Sequence, residues 1–167
     1  MVTLAVLAVL AAVAIPSFNT LMLNSRIQGR SSALISSANQ ARLIALRNGV
    51  TATLCPGNGT TLVCGTNWST GWQINAAPTP GAAEQIAAVS AFPPSPTTVT
   101  TLGGQNQIAF LPNGIVTNND AFIVCDARGH TFAMQIAVSA SGSTLSSPKQ
   151  GTVADAVTSI AATAGCP

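Results

Sequence analysis

The sequence predicts an α+β protein in which a long N-terminal α-helix packs on a small, mainly antiparallel β-sheet head with disulfides. An apolar run over residues 1–18 leads without a break into a helical pattern that continues for about thirty more residues. At Asn48-Gly49 the period changes from helical to two-residue alternation. All four cysteines follow that change. The chain therefore divides into residues 1–49, an apolar and then amphipathic helix, and residues 50–167, a β-rich globular head.

The helix comes first. A secretory signal peptide begins with a cationic segment, but here the first arginine is Arg26, beyond the apolar run. The run is thus read as a retained part of the working protein. Residues 1–15 make a helix of about 22 Å, short of the roughly 30 Å of bilayer hydrocarbon. Crossing a membrane would need further apolar residues ahead of Met1, or burial against protein partners. Pro16 removes a helical donor and clashes with the preceding turn, which predicts a kink or an unwound stretch at residues 14–18. Beyond it Ile27, Leu34 and Ala41 recur every seven residues, with Ala38 and Ala45 in companion positions, giving one narrow apolar stripe. Together with Leu7, Leu10, Val13 and Pro16 these are the expected packing residues. Arg26, Arg30, Arg42 and Arg47 decorate the same helix, and Gly49 suits the left-handed residue that ends one.

The head begins with alternation: Val50, Ala52 and Leu54 face one way, Thr51, Thr53 and Cys55 the other. Further strands are expected at 71–74, 97–102, 107–111, 121–125 and 131–139. Turns are expected at Pro112-Asn113-Gly114 and Asp126-Ala127-Arg128-Gly129. The Pro-rich stretch 78–96 reads as a loop with a short helical or strand piece at 86–89. Four cysteines allow three pairings. The favoured one closes a tight loop with Cys55 and Cys64 and ties Cys166 to a central strand through Cys125.

Composition narrows the function. At 167 residues the chain holds one domain plus an appendage, which excludes a large multidomain enzyme. Only 6% of residues are charged, against about 25% in ordinary soluble domains, so solubility must come from hydroxyls and amides. Four cysteines and no tyrosine fit work outside the cytoplasm. A net charge of +2 is too small to announce a nucleic-acid partner. No CxxC spacing occurs and the one histidine is His130, so no metal or other cofactor is expected. Glu84, Asp120, Asp126 and Asp155 form no paired motif for acid and base work. No Gly-rich phosphate loop follows a strand. His130 stands in a turn near Asp126 and Arg128, a structural setting. No enzyme is expected.

The front run, with Ala14-Ile15-Pro16-Ser17-Phe18, resembles the sequence that follows the processing signature of type IV pilins and type II secretion pseudopilins. Ala41-Arg42, Ala45, Arg47-Asn48-Gly49, Leu54-Cys55, Trp68, Gly71-Trp72 and residues 108–114, Ile-Ala-Phe-Leu-Pro-Asn-Gly, resemble the minor-pilin branch of FimT, FimU and GspH type. The resemblance implies that residues 1–49 are a pilin stem, membrane anchor and filament core in one. The implied function is that of a minor or major structural subunit of a pilus-like filament, stored in the bacterial inner membrane as a single-pass protein and assembled through its helix. It then lies in the periplasm and the extracellular pilus. Implied partners are other pilin subunits in a homo- or heteropolymer, the assembly platform and the prepilin peptidase. Two alternatives share the architecture: a DNA- or ligand-binding minor pilin of natural transformation or adhesion, and a type II secretion pseudopilin.

Two departures stand out. The Gly-Phe-Thr-Leu-Ile-Glu-Leu signature with its membrane-embedded glutamate is absent, and is expected to precede a truncated or misassigned Met1. Where DNA-uptake members of the branch carry Gly-Arg-x-Arg, this chain reads Ser141-Gly142-Ser143-Thr144, so DNA is not favoured. Arg26, Arg30, Arg128 and Lys149 remain candidate contacts for phosphate of lipid or DNA. Membrane-surface placement, or pairing with a neighbouring subunit, is the stronger reading for the two helix arginines. Trp68 and Trp72 are read as core aromatics rather than a stacking platform for bases. Asn58-Gly59-Thr60 and Asn67-Trp68-Ser69 match a glycosylation pattern too short to carry weight.

Overall fold

The computed structural model describes residues 2–93, 95–147, 150–151 and 166, with helix side chains from Phe18 onward. Helix α1 runs over Val2–Asn48. It passes through Pro16 without the unwound stretch expected there, since one missing donor leaves the flanking helical bonds in place. The packing roles expected of Leu7, Leu10, Val13 and Pro16 fall outside the described side chains. The helix ends as the sequence indicates. Gly49 takes φ +65° and the Val50 N–H reaches back to the Ala45 carbonyl at 3.3 Å, the longer bond of a Schellman cap. Val50 and Ala45 are both buried, completing the apolar contact of that cap.

Eight strands follow: β1 (Ala52–Pro56), β2 (Gly71–Ala76), β3 (Gln85–Ala91), β4 (Thr98–Thr101), β5 (Ile108–Phe110), β6 (Asp120–Cys125), β7 (Met134–Val138) and β8 (Thr144–Ser146). They form two four-stranded antiparallel sheets, ordered β3-β2-β1-β5 and β4-β6-β7-β8, where the sequence had indicated one. Within the supposed Pro-rich loop, the proline-free stretch Gln85–Ala91 pairs along β2 as an edge strand. The strand expected from Thr131 begins at Met134, because His130–Phe132 forms a 3-10 turn. Strand β8 was not foreseen. Its three residues carry too short a pattern to read.

Both sheets close on the helix. Ile27, Leu34, Ala38, Ala41 and Ala45 are each at most 1% exposed, and α1 touches β1, β2 and β5 of one sheet and β6, β7 and β8 of the other. Ala at three of these positions lets backbones approach where larger side chains would hold them apart. The Trp72 indole N–H donates to Ser37 Oγ at 2.8 Å, so the one polar atom of the ring is satisfied at the helix surface. Between the sheets, Trp68 meets Phe122 edge-on at 4.8 Å, and the Ser69 hydroxyl accepts from the Val99 N–H at 2.9 Å.

The cysteines pair as Cys55–Cys64 and Cys125–Cys166, with Cα separations of 5.5 and 5.9 Å. Under the first bridge, Gln73 accepts from the Gly59 N–H at 3.0 Å and donates to the Thr61 carbonyl at 2.7 Å, while Asn75 donates to the Leu62 carbonyl at 2.7 Å. Two buried amides thus satisfy the backbone of the loop that the disulfide closes.

Leu34→Ala should cost about 2–5 kcal/mol in chemical denaturation followed by tryptophan fluorescence, whereas Leu43→Ala should stay within about 0.5 kcal/mol. Leu34 is fully buried, while Leu43 is 65% exposed. Equal losses at the two positions would contradict the assigned stripe.

Candidate functional site

The charged side chains are few, and among the described ones Arg30, Arg42, Arg128, Asp120 and Asp126 are engaged internally. Arg30, on the helix one turn above Arg26, is buried. It donates to the Ser69 carbonyl at 2.7 Å and the Pro93 carbonyl at 3.3 Å, and lies 4.3 Å over the Phe92 ring. Burial lowers its pKa from the usual guanidinium value, yet it remains a cation at any physiological pH. The phosphate contact expected of Arg30 competes with these bonds: two of its N–H groups go to backbone carbonyls and its face to an aromatic ring. Phe92 and Pro93, which complete this arrangement, were not legible in advance because they sit in a Pro-rich segment without periodicity.

Arg128, the other candidate described, is also engaged within the subunit. Its guanidinium grips Asp126 with an Nη2–Oδ2 distance of 2.8 Å, donates to Asn24 Oδ1 at 2.9 Å and covers the Phe132 ring at 4.3 Å. The contact with Asn24, 104 residues away, clamps the β6–β7 turn to the helix. Burial alone would raise the Asp126 pKa; hydrogen bonds from the Arg128 side chain and backbone, together with its charge, outweigh burial and hold the carboxyl below its ordinary value. Lys149 lies outside the described residues.

Arg42 donates to the Gly114 carbonyl at 3.1 Å. This carbonyl lies so close to Gly142, at φ +77°, that a Cβ there would collide with it. Arg42 and Gly142 thereby seat the turn after β5 against the β7–β8 hairpin. In place of the basic motif of DNA-uptake relatives, that hairpin carries a hydroxyl cluster: Ser139 with Ser141 at 2.8 Å and with Ser143 at 2.7 Å. Thr144 then donates to Asn39 Oδ1 on the helix at 3.3 Å.

Asp120 and both tryptophans are also engaged internally. Asp120 accepts from the N–H groups of Gly103 and Ala121 at 2.7 Å and of Gln105 at 3.2 Å, anchoring a loop. His130 is exposed in its turn. Trp68 and Trp72 are 3% and 0% exposed, so neither ring presents a face to a base or sugar. Among the described residues no group of three or more His, Cys, Asp or Glu side chains could hold a metal ion.

Among the concavities beside the helix, two also draw on the head. Near its middle, Arg26, Gly29, Arg30, Phe92, Pro93, Ser95 and Pro96 line a cleft of about 380 Å³, so Arg26 and Arg30 do meet at one site. At the helix end, Leu43, Ile44 and Arg47 face Ala76, Pro78 and Ile86 across a groove of about 720 Å³. Arg26 and Arg47 are exposed and form no ion pair among the described residues.

The family model described as GspH, type II transport protein GspH, matches residues 31–142. Two crystal structures of the type IV minor pilin FimU of Pseudomonas aeruginosa (strain PAO1) share the fold. In space group P21 the TM-score is 0.61 at 16% identity, covering 78% of this chain and 92% of that one. In space group P65 it is 0.58 at 15% identity, covering 76% and 95%. No curated protein sequence matches the chain.

The Asp126–Arg128 clamp sets an acid limit. Because the folded carboxyl has the lower pKa, its contribution is fully present above the unfolded value near 4 and is lost as pH falls below it. The denaturation midpoint should be level from about pH 7 to 5 and drop from about pH 4 downward. Asp126→Asn should be less stable at pH 7 and show a shallower acid decline. An unchanged acid decline in the variant would remove the clamp from this account.

Proposed function

From the premise that the chain belongs to the GspH family, within the pilin and pseudopilin superfamily, we propose that it is a structural subunit of a type IV pilus-like filament. In this reading it is held in the inner membrane by the front of α1 and assembled with other pilin subunits through that helix. Family membership makes it an envelope-associated filament component. The pilus, its storage in the membrane and its processing by a prepilin peptidase are our reading.

One observation supports it most. The buried stripe of α1 starts at Ile27, whereas Phe18, Leu21 and Met22 ahead of it are 61%, 66% and 43% exposed. An apolar helical segment without cover from its own head is built to be covered by something else. Among the described residues no helix is long and apolar enough to cross a membrane. Packing against sister helices supplies cover at any length, which is why assembly rather than anchoring carries the proposal.

The secretion pseudopilin is the second reading, favoured by the description of the matching family. Deletion of the gene separates the two: loss of surface fibres and of the motility they drive supports the pilus, and loss of exoprotein release with fibres intact supports the pseudopilus. DNA capture is disfavoured because Arg30, Arg42 and Arg128 are engaged internally.

The full chain should be recovered in sheared surface fibres, and Phe18→Asp with Leu21→Asp should lower that recovery at least about tenfold with an unchanged head melting temperature, since a carboxylate cannot be buried between apolar helices. Normal recovery of the double variant would contradict assembly through α1. With Arg26 and Arg47 exposed and without an ion pair among the described residues, and Lys149 outside them, binding to a duplex measured by anisotropy should have a Kd no tighter than about 10⁻⁴ M at physiological salt and a log–log salt slope no steeper than about −3. A steep slope with micromolar affinity would restore the DNA reading.

A further inference from the structure

Strand β3 separates two charges of opposite sign that have no ion pair among the described residues. Glu84 directly precedes it and is exposed. It ends a turn seated on the C-terminal end of α1, where Asn48 Nδ2 donates to the Ala77 carbonyl at 3.3 Å and Pro80 faces Gly49. Past the other end of β3, Phe92, Pro93 and Pro96 form the cleft with Arg26 and Gly29. Along the helix Arg26 and Arg47 are about 30 Å apart, so the turn and the cleft occupy opposite ends of the head.

The cleft has the marks of a seat. A glycine inside a helix costs up to about 1 kcal/mol relative to alanine. Gly29 is exposed there with nothing within 4 Å of a Cβ built on it, so no contact within the subunit requires the small residue. Its walls combine the rings of Phe92, Pro93 and Pro96 with Ser95 and the internally bonded Arg30, and its rim carries Arg26, which has no ion pair among the described residues. An occupant must therefore be small, with a carboxylate at one side.

We propose that the cleft receives the 77–84 turn of a second copy of this chain, with Glu84 of that copy paired to Arg26. The inference rests on the filament reading above. Charge complementarity selects the occupant. Among the described acids, Asp120 is bound by three backbone N–H groups and Asp126 by Arg128, which leaves Glu84. The residues before it, Gly81, Ala82 and Ala83, are exposed and small enough to enter between Phe92 and the prolines. Arg47 stands at the same end as Glu84, on the opposite wall of the groove, and the two make no ion pair. Because each copy offers the turn at one end and the cleft at the other, the contact is heterologous. It propagates along an open polymer instead of closing a dimer.

The test uses the full chain in cells that assemble fibres. With cysteines at Arg26→Cys and Glu84→Cys in one chain, oxidised sheared fibres should yield a ladder of dimers, trimers and higher species on a non-reducing gel, and either cysteine alone should yield none. Arg26→Glu and Glu84→Arg should each lower recovery in fibres about fivefold, and the combined swap should return it to within about twofold of the original. A double-cysteine chain that reaches fibres but stays monomeric overturns the proposal. A swap no better than the single variants does the same. If the unaltered chain never reaches fibres, the filament reading falls instead. The contact is then decided with the purified double-cysteine chain in detergent at about 1 mM, where a head-to-tail ladder sustains it and monomer or closed dimer overturns it.

Discussion

The head is organised against one narrow face of α1. Ile27 and Leu34 supply the bulk of that face, and Ala38, Ala41 and Ala45 supply nearness, so two sheets reach one helix from different sides. Removing this face would leave Trp72, Phe110 and Ile136 as the surface of two half-covered sheets. The sheets also meet directly, through Trp68 on Phe122, through Ser69 with Val99, and where the Val116 N–H donates to the Ala140 carbonyl. The helix therefore has two characters at different heights: within the head it is core, and ahead of Ile27 the side chains of Phe18, Leu21 and Met22 are exposed. This division explains why one 47-residue helix shows no single amphipathic pattern along its length.

The scarcity of charge has a structural consequence. With so few ions, each arginine that folds back is a connector: Arg30 joins helix to β3 exit, Arg42 helix to hairpins, Arg128 helix to the β6–β7 turn. Guanidinium suits that work because its fork serves several acceptors and its face lies on a ring. The same engagement withdraws Arg30, Arg42 and Arg128 from a phosphate backbone. A subunit that lacks long-range repulsion can stack closely on its neighbours, and the few charges left over then gain weight in deciding how.

Much of the fold was legible because local chemistry and tertiary demand agreed. The seven-residue recurrence of Ile27, Leu34 and Ala41 named the buried face, and Asn48-Gly49 named the helix end. Alternation marked β1, and cysteine spacing marked the small loop. Where the two disagreed, the sequence misled. In the Pro-rich stretch 78–96 the piece expected at 86–89 could have been helix or strand, and its pairing with β2 makes it the longer strand β3. The division into two sheets depends on which strands pair across long loops, information that period-two patterns lack. Arginines are equally ambiguous in sequence: Arg26 and Arg30 look alike one turn apart, and only the position of Phe92 decides that one is core and the other free.

Native-state hydrogen exchange of the full chain tests the central claim most directly. If the stripe of α1 is core to both sheets, amides of residues 27–45 should open with the same free energy as those of β1 and β6, and all three should shift together under mild denaturant. Helix amides that open about 2 kcal/mol or more below the strands would show a head that stands without its helix, contradicting the account.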